Sequence, residues 1–185
     1  ADQAAGLVGR VQAAMGPIDF LINHAGIAGS APVVKQTLDE WNRIFAINVT
    51  ATFLCTQAAL PKMIERGSGR VVNIASVAGL KGTAPGVHTI AYNTSKAALI
   101  NFTRTLAAEW GRYNINVNAL CPGFFPSKLS AGLLEQVQEA VIARAPLHRI
   151  GGEEDLKGSV VFLASAASRH ITGQYLAVDG GSSIV

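Results

Sequence analysis

The sequence predicts an α/β fold: a doubly wound, mainly parallel sheet of four strands with helices between them. Three observations carry this. Short apolar runs alternate with longer helical patterns along the chain, as crossover-connected parallel strands require. The predicted strands end at small or turn-forming residues: Asn23–Gly26, Ser76, Pro122–Gly123 and Asp179–Gly181. At 185 residues the chain suits one well-buried core and is short for two, so 1–185 is read as a single domain.

The elements follow in order. Leu7, Val8, Val11 and Met15 share one helical face, and Gly16-Pro17 ends that helix. Residues 19–23 read as the first strand. Thr37-Leu-Asp-Glu40 is a capping box, the Thr hydroxyl and the Glu carboxylate each satisfying an exposed amide at a helix start. The helix it opens carries Trp41, Ile44, Phe45 and Phe53, with Asn48 inside it. Residues 70–75 form the second strand, which Ser76 terminates. Leu99, Phe102, Leu106 and Trp110 recur at helical spacing until Gly111. Residues 115–120 are the third strand. A looser helical region at 130–144 is cut by Pro146, and 153–164 reads as the last helix, with acidic residues in its first turn as the helix dipole favours. Residues 174–178 are the closing strand.

Composition narrows the functional classes. The formal charge is only +3, and Lys and Arg are scattered singly, so no nucleic-acid partner is expected. No uninterrupted apolar run approaches 18 residues, so no membrane partner is expected and the default compartment is cytoplasmic. Cys55 and Cys121 sit far apart in apolar stretches and read as buried thiols rather than a disulfide. His24, His88, His148 and His170 lack ligand spacing, so no metal is assigned.

Chemistry concentrates at strand ends, where doubly wound folds bind ligands. Tyr92 and Lys96 lie four apart at a helix start, on one face. A phenol with an ordinary pKa of about 10 is a poor acid–base group at neutral pH. A neighbouring ammonium favours the phenolate, and a three-unit shift corresponds to about 4 kcal/mol. Ser76 adds a hydroxyl at a preceding strand tip. The plain alternatives are a solvated Tyr–Lys pair, a turn-capping serine and, for Asn48, a polar residue bonding back inside its helix.

Asn23-His-Ala-Gly26, Asn48 within Ile47-Asn-Val-Thr, Ser76 in Asn73-Ile-Ala-Ser, Tyr92-Asn-Thr-Ser-Lys96, Pro122-Gly123 and Asp179-Gly-Gly181 occur together and in this order. The set resembles the short-chain dehydrogenase/reductase family across the whole chain, and especially its 3-oxoacyl carrier-protein reductase and sugar dehydrogenase members. The resemblance implies a Rossmann-like fold and NAD or NADP as cofactor. It implies a catalytic tetrad: Tyr92 exchanging a proton with the substrate oxygen, Lys96 lowering its pKa and holding the nicotinamide ribose, Ser76 polarising the carbonyl, and Asn48 positioning a proton-relaying water. It further implies cofactor contacts from Asn23, Ala25 and Gly26 on the ribose and adenine side, and from Pro122, Gly123 and Ser127 around the nicotinamide. The expected substrate is a small-molecule ketone or secondary alcohol: a 3-oxoacyl thioester, a sugar acid or polyol, or a small ketone. Residues 124–150 are the expected specificity segment, with Phe124, Phe125, Leu129, Leu133 and Leu134 as an apolar wall and Lys128, Arg144 and Arg149 facing an acidic group. A homo-oligomer, tetramer or dimer, is expected through helices near 41–64 and 94–110 and the last strand.

The sequence also departs from the family. The glycine-rich phosphate loop of the Thr-Gly-x-x-x-Gly-x-Gly kind is absent, so the sheet is expected to lack its first strands and to leave the 19–23 edge open. His24 stands where the family often has a second Asn. The Ser76–Tyr92 interval is longer than usual, the excess falling at 81–88 beside the expected substrate. A non-catalytic, fold-retaining interaction module or inactive fragment is therefore the rival reading. Weak dinucleotide binding by this polypeptide is expected when NADH and NADPH are titrated by fluorescence; micromolar affinity contradicts it.

Overall fold

A computed structural model describes residues 2–185. Its core is a four-stranded, all-parallel sheet in the order β1 (Phe20–Asn23), β2 (Gly69–Ile74), β3 (Ile115–Pro122) and β4 (Tyr175–Val178). Helix α1 (Asp2–Met15) precedes β1. The β1–β2 crossover carries α2 (Leu38–Phe45), a π-helical turn (Ala46–Thr50) and α3 (Ala51–Arg66). Helix α4 (Ile90–Trp110) joins β2 to β3, and α5 (Ala131–Arg144) and α6 (Lys157–Ala164) join β3 to β4.

Alternation along the strands sorts the core into layers. Val71, Ile115 and Val117 face α1, α3 and α4, where they pack with Val8, Leu60, Met63 and Leu106. Val72 and Leu120 face the opposite side and pack under Leu163 of α6. Helices thus cover both faces, as the sequence predicts.

A polar ladder crosses the α3/α4 layer. Asn23 Nδ2 donates to Thr56 Oγ1 at 3.0 Å and to Asn73 Oδ1 at 2.8 Å, and Asn73 Nδ2 donates to Thr103 Oγ1 at 2.9 Å. All four residues are buried. The ladder ties β1 and β2 to α3 and α4 just below the strand tips.

Several expectations need correction. The Leu7–Met15 face is mostly exposed, and only Val8 of the four is buried. Thr37 caps α2 by accepting from Glu40 N, but the Glu40 carboxylate accepts from Gln36 instead of closing the box. Trp110 ends α4, yet Gly111 keeps right-handed helical angles and Asn114 supplies the left-handed turn at φ 60°. Helix α6 begins at Lys157 and has no acidic first turn, because Asp155 turns to Arg149 and to Gly152 N. Within the continuous helix over Leu38–Arg66, an 18-residue stretch has a mean hydropathy of 1.4, high enough by length and composition to cross a bilayer. In the fold, Asn48, Thr52 and Thr56 of this helix are buried.

Phe20 and Ile22 of β1 are exposed on the side opposite α3, and no described strand pairs with the outer edge of β1. Asn73→Ala should destabilise the fold by about 2 kcal/mol or more, since it strips partners from two buried groups; urea denaturation reads this directly.

Candidate active site

Three strand tips and the start of α4 build the site. Ser76 follows β2 and caps a 3-10 turn (Val77–Gly79), accepting from Ala78 N at 3.1 Å. That turn sits directly on α4. A Cβ at Gly79 would lie 2.6 Å from the Lys96 carbonyl carbon and 2.7 Å from Ala97 N. Only glycine allows this approach, so Gly79 sets the distance between the Ser76 tip and the helix bearing Tyr92 and Lys96. Sequence reasoning missed it, because the partner backbone is distant in the chain.

Lys96 is buried, and its ammonium donates to the Ile74 carbonyl at 2.7 Å. Burial lowers its pKa to about 8, with the nearby Cys121 acting the other way. An ammonium has three donors, so two remain for a ligand. The Lys96 Nζ stands 5.6 Å from the centroid of the Tyr92 ring. This corrects an expectation: the cation is placed against the ring, and burial raises the Tyr92 pKa while Ser76 opposes that rise. Desolvation of the phenolate outweighs the Ser76 hydrogen bond that favours it.

Asn48 lies in the π-helical turn and is fully buried. Its Oδ1 accepts from Ile27 N at 2.8 Å, and its Nδ2 donates to Ile27 O and Ser95 Oγ, each at 2.9 Å. The side chain is therefore an anchor for the loop after β1, with neither amide hydrogen left to hold a water. Gly26, beside it, leaves a gap: a Cβ there would be 3.4 Å from Lys96 Nζ and 3.5 Å from Asn48 Oδ1.

The remaining residues divide. Asn23, expected at a ribose, turns its amide into the ladder beneath the site. Ala25 is exposed in the loop after β1. Pro122 ends β3, and Gly123 donates to Val178 O at 2.9 Å while leaving room for Asp179, whose Cβ would be 2.7 Å from an added Cβ. Ser127 is exposed and exchanges hydrogen bonds with Ser130 in the turn before α5. Phe125 covers Gly151, Leu134 is buried and Leu129 is exposed, so the expected apolar wall is only partly assembled. Arg149 forks onto Asp155 at 2.6 and 3.0 Å and is already paired. Cys121 is buried, and burial raises its thiol to about pKa 11.

A nicotinamide cofactor fits the residues present at its ribose end. The buried ammonium keeps free donors, and the glycine opposite keeps the space a side chain would fill. No three His, Cys, Asp or Glu side chains converge for a metal among the described residues.

Comparison with known proteins agrees with this architecture. The family model described as enoyl-(acyl carrier protein) reductase matches residues 1–183. The chain belongs to the short-chain dehydrogenases/reductases, a class of NAD(P)-dependent oxidoreductases. It is 40% identical to the 3-oxoacyl-[acyl-carrier-protein] reductase of Aquifex aeolicus over 89% of this chain and 65% of that protein. It is also 40% identical to the inactive 2-(S)-hydroxypropyl-CoM dehydrogenase 2 of Xanthobacter autotrophicus, over 98% of this chain and 80% of that protein. The crystal structure of a gluconate 5-dehydrogenase from Burkholderia cenocepacia, in complex with NADP and tartrate, superposes with a TM-score of 0.93 at 34% identity, over 99% of this chain and 71% of that one.

Two outcomes test the geometry. Gly79→Ala should cost about 1–3 kcal/mol by overpacking against the α4 backbone, seen in chemical denaturation. Lys96→Met should change the pH dependence of stability. As pH falls from 10.5 to about 8, the unfolded chain gains a proton that the folded chain resists, so burial of Lys96 costs stability that grows through this window and is constant below it. The advantage of the Met variant over the parent should accordingly be greatest near neutrality, and shrink by about 3 kcal/mol towards pH 10.5.

Proposed function

We propose that this chain carries the catalytic centre of an oxidoreductase that interconverts a secondary alcohol and a ketone. One observation carries the reading. A buried lysine ammonium with free donors, a phenol and a serine hydroxyl meet at the carboxyl ends of β2 and β3, where this fold class binds ligands. When bound, NAD(H) or NADP(H) supplies or accepts the hydride.

The side chains do the rest. In reduction, Tyr92 gives its phenolic proton to the substrate oxygen as negative charge develops there, and Ser76 donates a hydrogen bond to the same atom. The raised Tyr92 pKa keeps that proton in place through the neutral range. Lys96 uses its free donors on the cofactor ribose and, as a cation, stabilises the phenolate left by proton transfer. Asn48 contributes by fixing Ile27 and the turn carrying Gly26. Gly26 and Ala25 line the ribose side, together with the Asn23 backbone. Pro122, Gly123 and Ser127 flank the nicotinamide side.

The substrate comes from the classes of 3-oxoacyl thioesters, sugar acids or polyols, and small ketones. With Arg149 bound to Asp155 and Lys157 to Glu153 and Glu154, Lys128 and Arg144 are the cations of the 124–150 segment without an ion pair among the described residues. They are the candidates for an acidic substrate group. Assembly as a homo-oligomer, a tetramer or dimer, draws support from exposed apolar residues of the 38–66 helix and β4, such as Phe53, Tyr175 and Leu176.

The rival reading, an inactive module that keeps the fold, draws support from the relative named as inactive. Ketone reduction by the full-length protein with NADH or NADPH separates the two. Tyr92→Phe should lower kcat by about 10²–10⁴-fold; turnover unchanged by that substitution favours the rival. The reduction rate should be level below about pH 8 and fall above it, as Lys96 loses the charge that supports proton transfer. A rate that climbs through pH 8–9 contradicts this assignment.

A further inference from the structure

Ser95 stands between the two expected catalytic residues of α4 and has no side-chain exposure at all. Its hydroxyl donates to the Tyr92 carbonyl at 2.7 Å and accepts from Asn48 Nδ2 at 2.9 Å. The proton count allows one arrangement. Ile27 N can only donate, so the Asn48 oxygen must face it, and both Asn48 amide hydrogens then go to Ile27 O and Ser95 Oγ. Ser95 has a single hydroxyl proton, which goes to Tyr92 O. The result is a closed relay of contacts from the loop after β1, through the π-helical turn, to the first turn of α4.

That first turn needs the support. Thr89, at the N-cap of α4, makes no side-chain capping bond to the helix; its hydroxyl goes to Asn93 Oδ1 at 2.8 Å. A helix start without a cap frays, and here the start carries the phenol on which proton transfer depends.

We propose that Ser95 is a positioning residue for proton transfer: it locks the Tyr92–Lys96 turn of α4 to Asn48 and thereby to the Gly26–Ile27 loop. The inference rests on the reading given under Proposed function. Ser95 touches neither substrate nor cofactor and acts through Tyr92 and Asn48. Misplacement of a reacting group by about 1 Å costs up to about 10²-fold in rate, so loss of this lock falls on turnover and spares binding.

The test uses the full-length protein with Ser95→Ala, Ser95→Thr, Asn48→Ala and the Ser95→Ala/Asn48→Ala double variant. Steady-state ketone reduction is followed against pH, together with thermal melting. Ser95→Ala should lower kcat about 10- to 100-fold with KM changed less than about 2-fold. It should also move the alkaline limb of the kcat profile upward, as water reaches Lys96. Ser95→Thr, which keeps the hydroxyl, should recover most of the turnover. The double variant should be no slower than Asn48→Ala alone, because both substitutions cut the same link. Ser95→Ala with kcat within twofold of the parent overturns the proposal, as do multiplicative losses in the double variant. So does a Ser95→Ala defect that follows melting temperature alone, with the pH profile unmoved. If Ser95→Ala does not fold, Ser95→Thr decides: a folded Thr variant with parental turnover and pH profile supports the lock, and one that folds but is as slow as Asn48→Ala overturns it. Failure of all Ser95 variants to fold assigns the residue to stability and also overturns the proposal. An inactive parent protein, or a Tyr92→Phe variant as fast as the parent, instead removes the oxidoreductase reading itself.

Discussion

When α4 docks on the sheet, the Lys96 ammonium loses water on nearly every side and donates to the Ile74 carbonyl at the tip of β2. Burying a cation is expensive unless its donors are met. The surroundings of Lys96 read as a set of answers to that cost. Gly79 brings the Ser76 turn onto the helix backbone, Gly26 leaves space on the other side, and the phenol ring of Tyr92 offers its face to the charge. Two donors of the ammonium have no hydrogen-bond partner among the described residues.

The same desolvation controls the acid–base groups. It pushes Lys96 and Tyr92 in opposite directions, the amine down and the phenol up, so that each sits closer to its neutral form than it would in water. A phenol held protonated suits donation to a ketone oxygen. Its conjugate phenolate becomes affordable only while the lysine remains charged. Stability and chemistry are thus in tension at one residue, a common feature of active sites, where local strain is offset by the rest of the fold. Directly underneath lies the Asn23–Asn73 ladder, which meets its polar groups inside the protein and fixes β1 and β2 against α3 and α4.

Asn48 illustrates how a polar residue inside a helix acquires a structural task. The π-helical turn at Ala46–Thr50 widens the helix locally, a feature that recurs at functional sites. The carboxamide there reaches across to Ile27 and Ser95. Its carboxamide thereby fixes the backbone of the loop after β1 and the first turn of α4.

The sequence by itself determined the strand–helix alternation, the parallel sheet and the identity of the residues gathered at its carboxyl end. These depend on local periodicity and on residue types at strand tips, which can be read in a window of a dozen residues. Tertiary structure decided what each residue does there. Glu153–Asp155 satisfy the rule for a helix start, yet Arg149 offers Asp155 a bidentate partner and the helix begins later. Asn23 spends its side-chain amide on Asn73 and Thr56, partners 50 and 33 residues away that no local window shows. Gly79 carries no local signal, since the backbone it touches lies in another element. The pKa order of Tyr92 and Lys96 was likewise beyond the sequence: spacing on a helix brings charge and phenol together, but only packing fixes how much water they keep.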